Sequence, residues 1–472
     1  MQASQKAFAQ NQFGFDFTFI QTMFRRFSRI PSQRRLAGLF GLTAATGIYH
    51  LSNNPRTIHA DSDNINDPEK IEIGTIKVAY PIQKDMGLLE KLRDTASTYV
   101  APTLTGLGVL RVDALSLPCD GLSHSYIDGR IGEDHNADAS VVVNAIYTGY
   151  DDPMTADFLL RNLANFILHF VSSIPSRLPS SELDHQEVGA ENIAVVAAEE
   201  VIPVGTTGAF KIVDQLLVAN LAEHVLEEMA GGHIEKDQAS ALLTCGYGRS
   251  SALVSIFDCK TRMLHVALAG RGRAVVGRRS GKSSYQVTQL TTDQDESSLP
   301  IRVLGGGGLK WPLKMQERLH ADFLGDPPQE PSKDVTPEPV ISDFQAAPGD
   351  FLILGSNAFW DCLSNEEAVG LVGIWAEKRD SGLPRDLFPV ATSPNDIWKP
   401  DQLPVTIKDR KDNTPWNTPK RFINTEKNVA YHLIRNALGG EDEVMTRALL
   451  FMSPFRKQKF KGDIAVSVIF FQ

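Results

Sequence analysis

The sequence predicts an α+β domain in which strands and helices pack in layers. Ala139–Tyr147 (ASVVVNAIY) is β-branched and apolar, as expected of a buried strand. Two long segments carry apolar residues at helical spacing, and several short strands separated by turn signals follow them. Strands gathered around two long helices are typical of a layered domain that contains both types of element.

The two long helices have recognisable ends. The first is expected directly after Asp152–Pro153, which is a favourable N-cap and first-turn pair. Its apolar residues recur at helical spacing at Leu159, Leu163, Phe166, Ile167 and Phe170. The second helix is expected from about Ala209 to Met229 and should stop at Gly231–Gly232, because glycine favours the C-cap.

Shorter elements complete the expected domain. Strands are expected at Ala252–Phe257, Met263–Ala269, Arg273–Arg278, Phe351–Leu354 and Ile464–Phe471. Helices are expected at Asn365–Trp375 and Lys427–Leu438. The polar stretch 52–70 resembles a linker, so we expect one domain over 71–472. Proline- and charge-rich stretches near 326–339 and 379–419 are expected to be surface inserts.

Composition excludes some classes of function. The 472 residues are 42% hydrophobic and 22% charged, as in ordinary globular proteins. A net charge of −10 argues against a general nucleic-acid binder, which would present a basic surface. The four cysteines have no CxxC spacing, so we expect separate thiols and neither a disulfide framework nor a zinc site.

The N-terminal 51 residues predict mitochondrial targeting. The first 50 contain one acid, Asp16, and several arginines, a composition typical of import segments. The apolar run 36–51 is short for a bilayer span. It is either an inner-membrane anchor, which would place the domain in the intermembrane space, or part of a disordered tail, which favours the matrix.

Three segments resemble signatures of the protein phosphatase type 2C family. They are Ala145–Leu159 (AIYTGYDDPMTADFL), Val266–Gly277 (VALAGRGRAVVG) and Asp350–Asp361 (DFLILGSNAFWD). Further similar pieces occur in the family's order at Ile131–His135 (IGEDH), Arg249–Ala252 (RSSA), Val335–Pro339 (VTPEP), Asn428–Gly440 (NVAYHLIRNALGG) and Lys461–Ile464 (KGDI). The resemblance covers about residues 75–472 and is strongest to the mitochondrial pyruvate dehydrogenase phosphatase branch.

The resemblance implies a fold and a chemistry. The fold would be an α-β-β-α sandwich, in which two antiparallel sheets are flanked by helices. Active members hold two Mg²⁺ or Mn²⁺ ions with aspartates and one backbone carbonyl, which Gly149 would supply here. These hard cations require oxygen anions, and the metal pair activates a shared water for phosphoester hydrolysis.

This chain departs from the family's metal site at most positions. Thr148, Asn357 and Gly462 stand where the resemblance places aspartates, Arg271 replaces another acid, and Gly306 ends a turn that would end in acid. Tyr150 replaces the histidine that would act as general acid. The remaining acids are Glu133, Asp134 and Asp463.

We therefore expect no bound metal and no confident catalytic residue. Asp151 or Asp152 could replace the lost ligands if redirected inward, but Asp152 is already explained as a helix cap.

Arg271 permits three interpretations. Its guanidinium would repel a divalent cation at the position of an acid. It would pair with Glu133 or Asp134, since a buried unpaired charge is costly. It would otherwise hold a phosphate group in place of the metals, or face solvent. The nearby Gly305–Gly308 run lacks the GK[ST] ending of a P-loop, so we expect a turn.

Two functional classes follow. The first is a catalytically inactive phosphatase-like protein that acts by binding a protein partner, either a phosphoprotein or a mitochondrial complex, as regulator or assembly subunit. The second is an active serine/threonine phosphatase that uses Mg²⁺ or Mn²⁺ on a mitochondrial phosphoprotein, such as a pyruvate dehydrogenase-type complex.

Overall fold

The computed structural model describes most of the chain between residue 68 and the C-terminus. The described residues are 68–73, 76–81, 97–99, 109–117, 125–133, 140–150, 153–174, 176–177, 196–281, 284–294, 299–319, 330–380, 397–406, 419–451 and 463–472. The targeting segment 1–51, residues 52–67 of the expected linker 52–70, Asp134 and Gly462 lie outside them. The last three residues of that expected linker, 68–70, are instead the start of a strand, Pro68–Ile73.

The described strands are numbered in chain order. They are β1 Pro68–Ile73, β2 Ile76–Pro81, β3 Ser97–Tyr99, β4 Val109–Leu117, β5 Ser125–Glu133, β6 Ser140–Gly149, β7 Ser176–Arg177, β8 Val196–Ala197, β9 Arg249–Asp258 and β10 Met263–Ala269. They continue with β11 Arg273–Arg279, β12 Tyr285–Gln289, β13 Ile301–Arg302, β14 Leu304–Gly305, β15 Val335–Thr336, β16 Val340–Gln345, β17 Phe351–Gly355, β18 Ile397–Trp398, β19 Phe422–Ile423 and β20 Ile464–Phe471.

The described helices are numbered in the same way. They are α1 Pro153–Ser173, α2 Val201–Gln215, α3 Leu221–Ala230, α4 Lys236–Tyr247, α5 Gly307–Lys310, α6 Leu313–Leu319, α7 Asn357–Cys362, α8 Asn365–Asp380, α9 Val429–Ala437 and α10 Glu443–Phe451. A π-helical segment, Leu216–Asn220, joins α2 to α3 without a break.

Two six-stranded antiparallel sheets form the centre of the molecule. The first sheet has the order β16-β10-β9-β6-β5, with β14 paired to β9. The second sheet has the order β12-β11-β17-β20-β4-β3. Every pairing within these two sheets is antiparallel.

Three apolar layers hold the sandwich together. Side chains from the facing sides of the two sheets meet in a central layer that includes Ile146, Leu253 and Leu354. The outer face of the first sheet packs against α1 and α2. The outer face of the second sheet packs against α7, α8 and α9. The molecule is therefore an α-β-β-α sandwich, and the expected α+β fold class is confirmed.

The expected elements are present, with two main corrections to their boundaries. The helix expected at Asn365–Trp375 continues to Asp380 as α8. The strand expected at 139–147 is β6, the helix expected after Pro153 is α1, and the C-terminal strand has the expected ends. The second long helix begins at Val201 and not near Ala209, because residues on its earlier turns, including Ile202, pack into the core. Its C-cap is Gly231, as expected.

The helical run Ala198–Ala230 is long and apolar enough to cross a membrane, judged by length and composition. Within its most apolar 18-residue window, 56% is buried inside the domain. A buried core helix can have the same length and composition, so this run is only weak evidence for a membrane span. The candidate anchor 36–51 lies outside the described residues.

Parts of the two expected inserts have defined positions. Val335–Thr336 forms a short parallel pair with β13. In the second stretch, Leu403 is buried and contributes to the layer outside the second sheet. None of the described cysteines, Cys245, Cys259 and Cys362, is in a disulfide bond, and burial raises the pKa of Cys259 to about 12.

Candidate functional site

Most of the described candidate residues meet at one end of the sandwich. Glu133 is the exception, because it pairs with Ser140 at the opposite end of β5 from Ser125. At the end where the others meet, β6 ends beside the start of β5 and the start of β9, because Thr148 pairs with Ser125 and Gly149 with Ser250. In the second sheet, β17 ends at Gly355 beside the start of β20. We call this region the strand-end site and define it by Ser125, Thr148, Tyr150, Ser251, Ser356 and Asp463.

Thr148 is hydrogen bonded within the strand-end site. Side chains alternate along a strand, so Thr148 lies on the same inter-sheet face as Ile146. Its hydroxyl lies 2.9 Å from the Ser125 hydroxyl, and both side chains are buried. The Thr148 carbonyl accepts a hydrogen bond of 3.0 Å from Ser250 Oγ. A neutral hydroxyl pair thus occupies the position where the resemblance places a metal-binding carboxylate.

Asp463 links the two sheets. Its carboxylate accepts a 2.7 Å hydrogen bond from the Ser125 backbone N–H, and only 1% of the residue is exposed. Its carbonyl accepts a 2.7 Å bond from Ser356 Oγ, and Ser356 Oγ accepts one of 3.0 Å from the Ala465 N–H. Ser125, Asp463 and Ser356 therefore connect β5, β20 and the end of β17 by direct hydrogen bonds.

Tyr150 fills the space beside the turn between β10 and β11. Its hydroxyl accepts a 3.0 Å hydrogen bond from the Arg271 N–H, and its own N–H donates to the Arg249 carbonyl at 2.9 Å. Burial raises the pKa of the Tyr150 hydroxyl, while hydrogen bonds from Ser251 and the Arg271 backbone, and the charges of Arg271 and Arg249, oppose that rise. A phenol with a raised pKa stays neutral, so Tyr150 here is a structural contact of the turn.

Arg271 lies in the β10–β11 turn, between two glycines with positive φ. Gly270 has a φ of 100° and Gly272 a φ of 147°. A Cβ atom at Gly270 would lie 2.6 Å from Ser251 Cβ and 2.9 Å from the Tyr150 hydroxyl oxygen, so the close packing requires glycine. Arg271 is half-buried in this turn. The expected pairing with Glu133 is wrong, because Glu133 pairs with Ser140 at the end of β5 away from Thr148 and Tyr150, eight residues along an extended strand. The other expected partner, Asp134, lies outside the described residues.

Gly306 begins the short helix α5 with a φ of 73°. Its N–H donates to the Gly248 carbonyl at 2.7 Å. The neighbouring Gly305 N–H donates to Asp214 at 2.8 Å, and Lys310 Nζ lies 2.8 Å from the same carboxylate. The turn expected over Gly305–Gly308 is thus reduced to Gly306, because Gly305 belongs to β14 and Gly307 and Gly308 to α5. The Asp214–Lys310 ion pair holds this connection.

The Asp214–Lys310 pair is almost completely enclosed, with side-chain exposures of 8% and 12%. Burial raises the pKa of the Asp214 carboxyl and lowers that of the Lys310 ammonium, while their mutual attraction opposes both changes. Each charge has lost its contact with water, and its attraction to the opposite charge offsets that loss.

Asn357 is the first residue of α7 and is half-buried. Its side-chain amide donates to Asp361 at 3.4 Å, one helical turn further on. Gly149 is the last residue of β6 and lies opposite Ser250. Gly462, Asp151 and Asp152 lie outside the described residues.

The donor chemistry of the described site does not fit a pair of Mg²⁺ or Mn²⁺ ions. Those ions require several charged oxygen ligands at close range. The described inter-sheet side chains supply neutral hydroxyls and one carboxylate, and that carboxylate already accepts a backbone N–H. In the part of the chain that the structure describes, no three His, Cys, Asp or Glu side chains form a group suited to a metal ion.

Sequence reasoning missed the serines of this site and the Asp214–Lys310 pair. Ser125 lies in a stretch that carries no distinctive motif, and Ser356 lies in the signature-like segment Asp350–Asp361 at a position that the resemblance does not mark as a ligand. Their roles depend on the register of β5 against β6 and of β17 against β20. Alternation along Ser140–Gly149 indicates that Thr148 faces inward, but it does not identify the partner strand.

Comparisons with known proteins agree with the resemblance in the sequence. Residues 211–392 match the family model described as Protein phosphatase 2C. A protein phosphatase 2C homolog of Schizosaccharomyces pombe is 26% identical over 82% of this chain and 85% of its own length. The mitochondrial pyruvate dehydrogenase (acetyl-transferring) phosphatase 1 of Saccharomyces cerevisiae is 23% identical over 92% of this chain and 81% of its own length.

A solved structure, the serine-threonine phosphatase 2C of Toxoplasma gondii, is similar at a TM-score of 0.40 and 14% identity. The similarity covers 80% of this chain and 99% of that one. The chain is thus homologous to protein phosphatases 2C, including a mitochondrial one, and the region 211–392 matches that family's domain.

Proposed function

We propose that this protein is a catalytically inactive relative of the type 2C phosphatases and acts by binding a protein partner. The observation that carries the proposal is the strand-end hydrogen-bond chain. The Thr148 and Ser125 hydroxyls share a hydrogen bond of 2.9 Å, and the Ser125 N–H donates to the Asp463 carboxylate at 2.7 Å. Direct protein contacts therefore stand where the resemblance places metal-binding carboxylates.

The loss of metal ligands bears directly on catalysis. A two-metal site lowers the pKa of a shared water and clamps the phosphoryl oxygens, so both nucleophile and charge stabilisation depend on it. Thr148 and Asn357 supply neutral oxygens, and Arg271 brings a positive charge to the same end of the sandwich. Tyr150 stands where the resemblance places the general acid, and its hydroxyl accepts a hydrogen bond from the Arg271 N–H of the β10–β11 turn.

Mitochondrial localisation is part of the proposal. It is supported by the arginine-rich, acid-poor N-terminus and by similarity to the S. cerevisiae phosphatase, which is described as mitochondrial. The anchor at 36–51 would place the domain in the intermembrane space, and its absence would place it in the matrix.

The proposed partner is a phosphoprotein or a mitochondrial complex, with this protein as regulator or assembly subunit. The similarity to a pyruvate dehydrogenase phosphatase supports a protein partner of this kind. A folded sandwich with complete apolar layers supports a role that depends on a stable surface.

The competing function is an active, metal-dependent protein serine/threonine phosphatase. The names of the homologous proteins favour it. In that case the metals would depend on acids such as Asp134, together with the Gly149 carbonyl.

Turnover on a phosphopeptide separates the two functions. The full-length chain is incubated with a phosphoserine peptide and millimolar Mn²⁺ or Mg²⁺, beside the S. cerevisiae relative. We expect phosphate release from the relative only. Metal-dependent release by this chain that a chelator abolishes would contradict the proposal and establish the active alternative.

A further inference from the structure

Arg435 is a deeply buried cation at the connection between α9 and α10. It lies in the last turn of α9, and only 4% of the residue is exposed. Its Nη1 donates a hydrogen bond to the hydroxyl of Thr446, a completely buried residue of α10. In the described part of the chain, the Arg435 side chain has no second hydrogen bond and no ion pair with a carboxylate.

Other buried cations of this chain pair with a carboxylate. Lys310 Nζ lies 2.8 Å from Asp214, and Lys420 Nζ lies 2.6 Å from Glu367. Moving a charged side chain out of water is costly unless an opposite charge compensates for the lost hydration. A neutral threonine hydroxyl does not supply that charge, so Arg435 differs from both lysines.

Acids act on Arg435 only through longer-range electrostatics. Burial lowers the pKa of its guanidinium, whereas Tyr431, Glu443 and Glu426 oppose that change. Among the described contacts, neither glutamate carboxylate reaches hydrogen-bond distance of the guanidinium. Because burial outweighs the opposing effects, the two acids compensate for only part of the lost hydration.

The acids of the connection itself have other partners. The Asp442 carboxylate accepts a 2.8 Å hydrogen bond from the Met445 N–H. The Glu441 carboxylate lies 3.3 Å from Arg421, whose side chain is exposed. Both carboxylates are thus engaged by groups other than Arg435.

The connection fixes the position of Arg435. The Gly440 N–H donates to the Arg435 carbonyl at 3.1 Å, and Gly440 has a φ of 60°. A Cβ atom at Gly440 would collide with the Arg421 carbonyl oxygen, so this close approach requires glycine. The Thr446 hydroxyl that accepts from Arg435 donates in turn to the Asp442 carbonyl at 2.8 Å. Arg435 is therefore held by both the end of α9 and the first turn of α10.

Most of the guanidinium N–H groups are available for a ligand. An arginine presents its donors in a planar fork, and the hydrogen bond to Thr446 uses a single one of them. Phosphate and carboxylate oxygens accept paired N–H donors from such a fork, and they bring the negative charge that a buried cation requires. The exposed part of Arg435 gives such an ion access from solvent.

We infer that Arg435 and Thr446 form a binding site for a small oxyanion of the phosphate or carboxylate class. The site is distinct from the strand-end site, because α9 packs on the outer face of the second sheet. The inference therefore goes beyond the proposed function and does not depend on whether the protein hydrolyses phosphoesters.

Thermal unfolding of the full-length chain tests the site. Potassium phosphate or potassium acetate replaces part of the potassium chloride in the buffer, so that the ionic strength stays constant. Phosphate, acetate or both should raise the unfolding temperature along a saturable curve, as a ligand does when it binds the folded state alone. The anion that acts shows whether the site takes the phosphate or the carboxylate class.

Two substitutions of Arg435 separate binding from a general effect of salt. Arg435→Met removes the charge and should abolish the saturable shift. Without oxyanion its unfolding temperature should equal or exceed that of wild type, because no buried cation remains to be compensated. Arg435→Lys keeps the charge but loses the planar fork, so its apparent affinity should fall about tenfold or more. The lysine variant also reports on the site if the methionine variant does not fold.

Arg447→Gln is the matched control. Arg447 lies on α10, like Thr446, and its side chain is 46% exposed. The substitution removes the same charge from the molecule and should leave the saturable shift unchanged.

Absence of a saturable shift in wild type would overturn the inference. Equal shifts in wild type and Arg435→Met would also overturn it, because phosphate stabilises proteins in general by its exclusion from their surface. The same holds for an equal loss in Arg447→Gln, which would reflect net charge alone. A marked drop in the unfolding temperature of Arg435→Met without oxyanion would show that protein groups already compensate the cation, against the inference. None of these outcomes bears on the proposed function, which metal-dependent turnover tests.

Discussion

At the residue scale, the most informative feature of the site is Thr148, which stands where the resemblance places an aspartate. Its hydroxyl is hydrogen bonded to the Ser125 hydroxyl, and the Ser125 N–H donates to the Asp463 carboxylate. The contacts between β6, β5 and the start of β20 are therefore made by neutral hydroxyls and by one carboxylate that already accepts a hydrogen bond. Such contacts need no ion to balance them, unlike a cluster of carboxylates.

Thr148→Val tests this contact. Valine keeps the shape of threonine but cannot hydrogen bond to Ser125, so we expect a loss of about 1–2 kcal/mol in the free energy of unfolding. Urea denaturation measures it. Thr148→Ser keeps the hydroxyl and should lose less than the valine variant. A Thr148→Val protein as stable as wild type would contradict the structural role given to this pair.

His432 predicts a pH dependence. It is completely buried beside Leu371, and burial lowers its pKa from 6.5 to about 3. Between those values the unfolded chain binds a proton that the folded chain excludes. The folded state therefore loses stability as pH falls from about 6.5 to 3, by up to about 1.4 kcal/mol per pH unit from this residue.

The measurement is the slope of unfolding free energy against pH in wild type and in His432→Gln. Gln offers an amide donor for the Leu371 carbonyl but takes up no proton, so its slope should be shallower below pH 6.5. Equal slopes would show that His432 is not the group that titrates.

At the element scale, the β10–β11 turn depends on Gly270. Gly270→Ala should reduce stability by about 2–5 kcal/mol, because the new Cβ meets Ser251 and the φ of 100° is unfavourable for alanine. Gly349→Ala is the control, since its φ is 88° but nothing lies within 4 Å of the added carbon. It should lose only about 1–2 kcal/mol. Similar losses in both variants, compared by chemical denaturation, would argue against tight packing of the turn.

The turn before α5 depends on the Asp214–Lys310 pair. Lys310→Met leaves the carboxylate buried without its cation and should cost about 3–5 kcal/mol. The double variant Asp214→Asn/Lys310→Met removes both charges and should recover much of that loss. Equal stability of the single and double variants in urea would contradict the coupling.

Much of the element order could be predicted from the sequence, because buried strands such as Ile464–Phe471 are nearly continuous apolar runs. The helix α4, Lys236–Tyr247, was not predicted, since polar Asp237, Ser240 and Thr244 interrupt its apolar pattern. The start of α2 was misplaced because Val, Gly and Thr residues in 201–208 have low helix propensity, and packing against α1 outweighs it.

The candidate site was predictable only in part. Sequence resemblance located Thr148, Tyr150 and Arg271 at one end of the fold. It could not show that Tyr150 contacts the Arg271 backbone or that Ser125 reaches Asp463, because those contacts depend on strand register. The expectation that Glu133 is an acid of this site is wrong, because the register of β5 places it at the other end of the sheet. The roles of Asp134 and Gly462 stay predictions.

At the scale of the whole molecule, the sandwich joins its two sheets by a continuous apolar layer and by the Ser125–Asp463–Ser356 hydrogen bonds. A fold held in this way should not need divalent metal. Thermal unfolding of the full-length chain should therefore occur at the same temperature with Mn²⁺ and with a chelator. A chelator-induced drop would indicate a structural metal.

The central claim is that this site does not hold the metal pair of an active type 2C phosphatase. Calorimetric titration of the full-length chain with Mn²⁺ and Mg²⁺, beside an active metal-dependent phosphatase, tests it most directly. We predict no saturable heat for this chain up to millimolar metal, a lenient limit for a carboxylate site. Saturable binding of two ions per chain, weakened in Asp463→Asn, would contradict the claim.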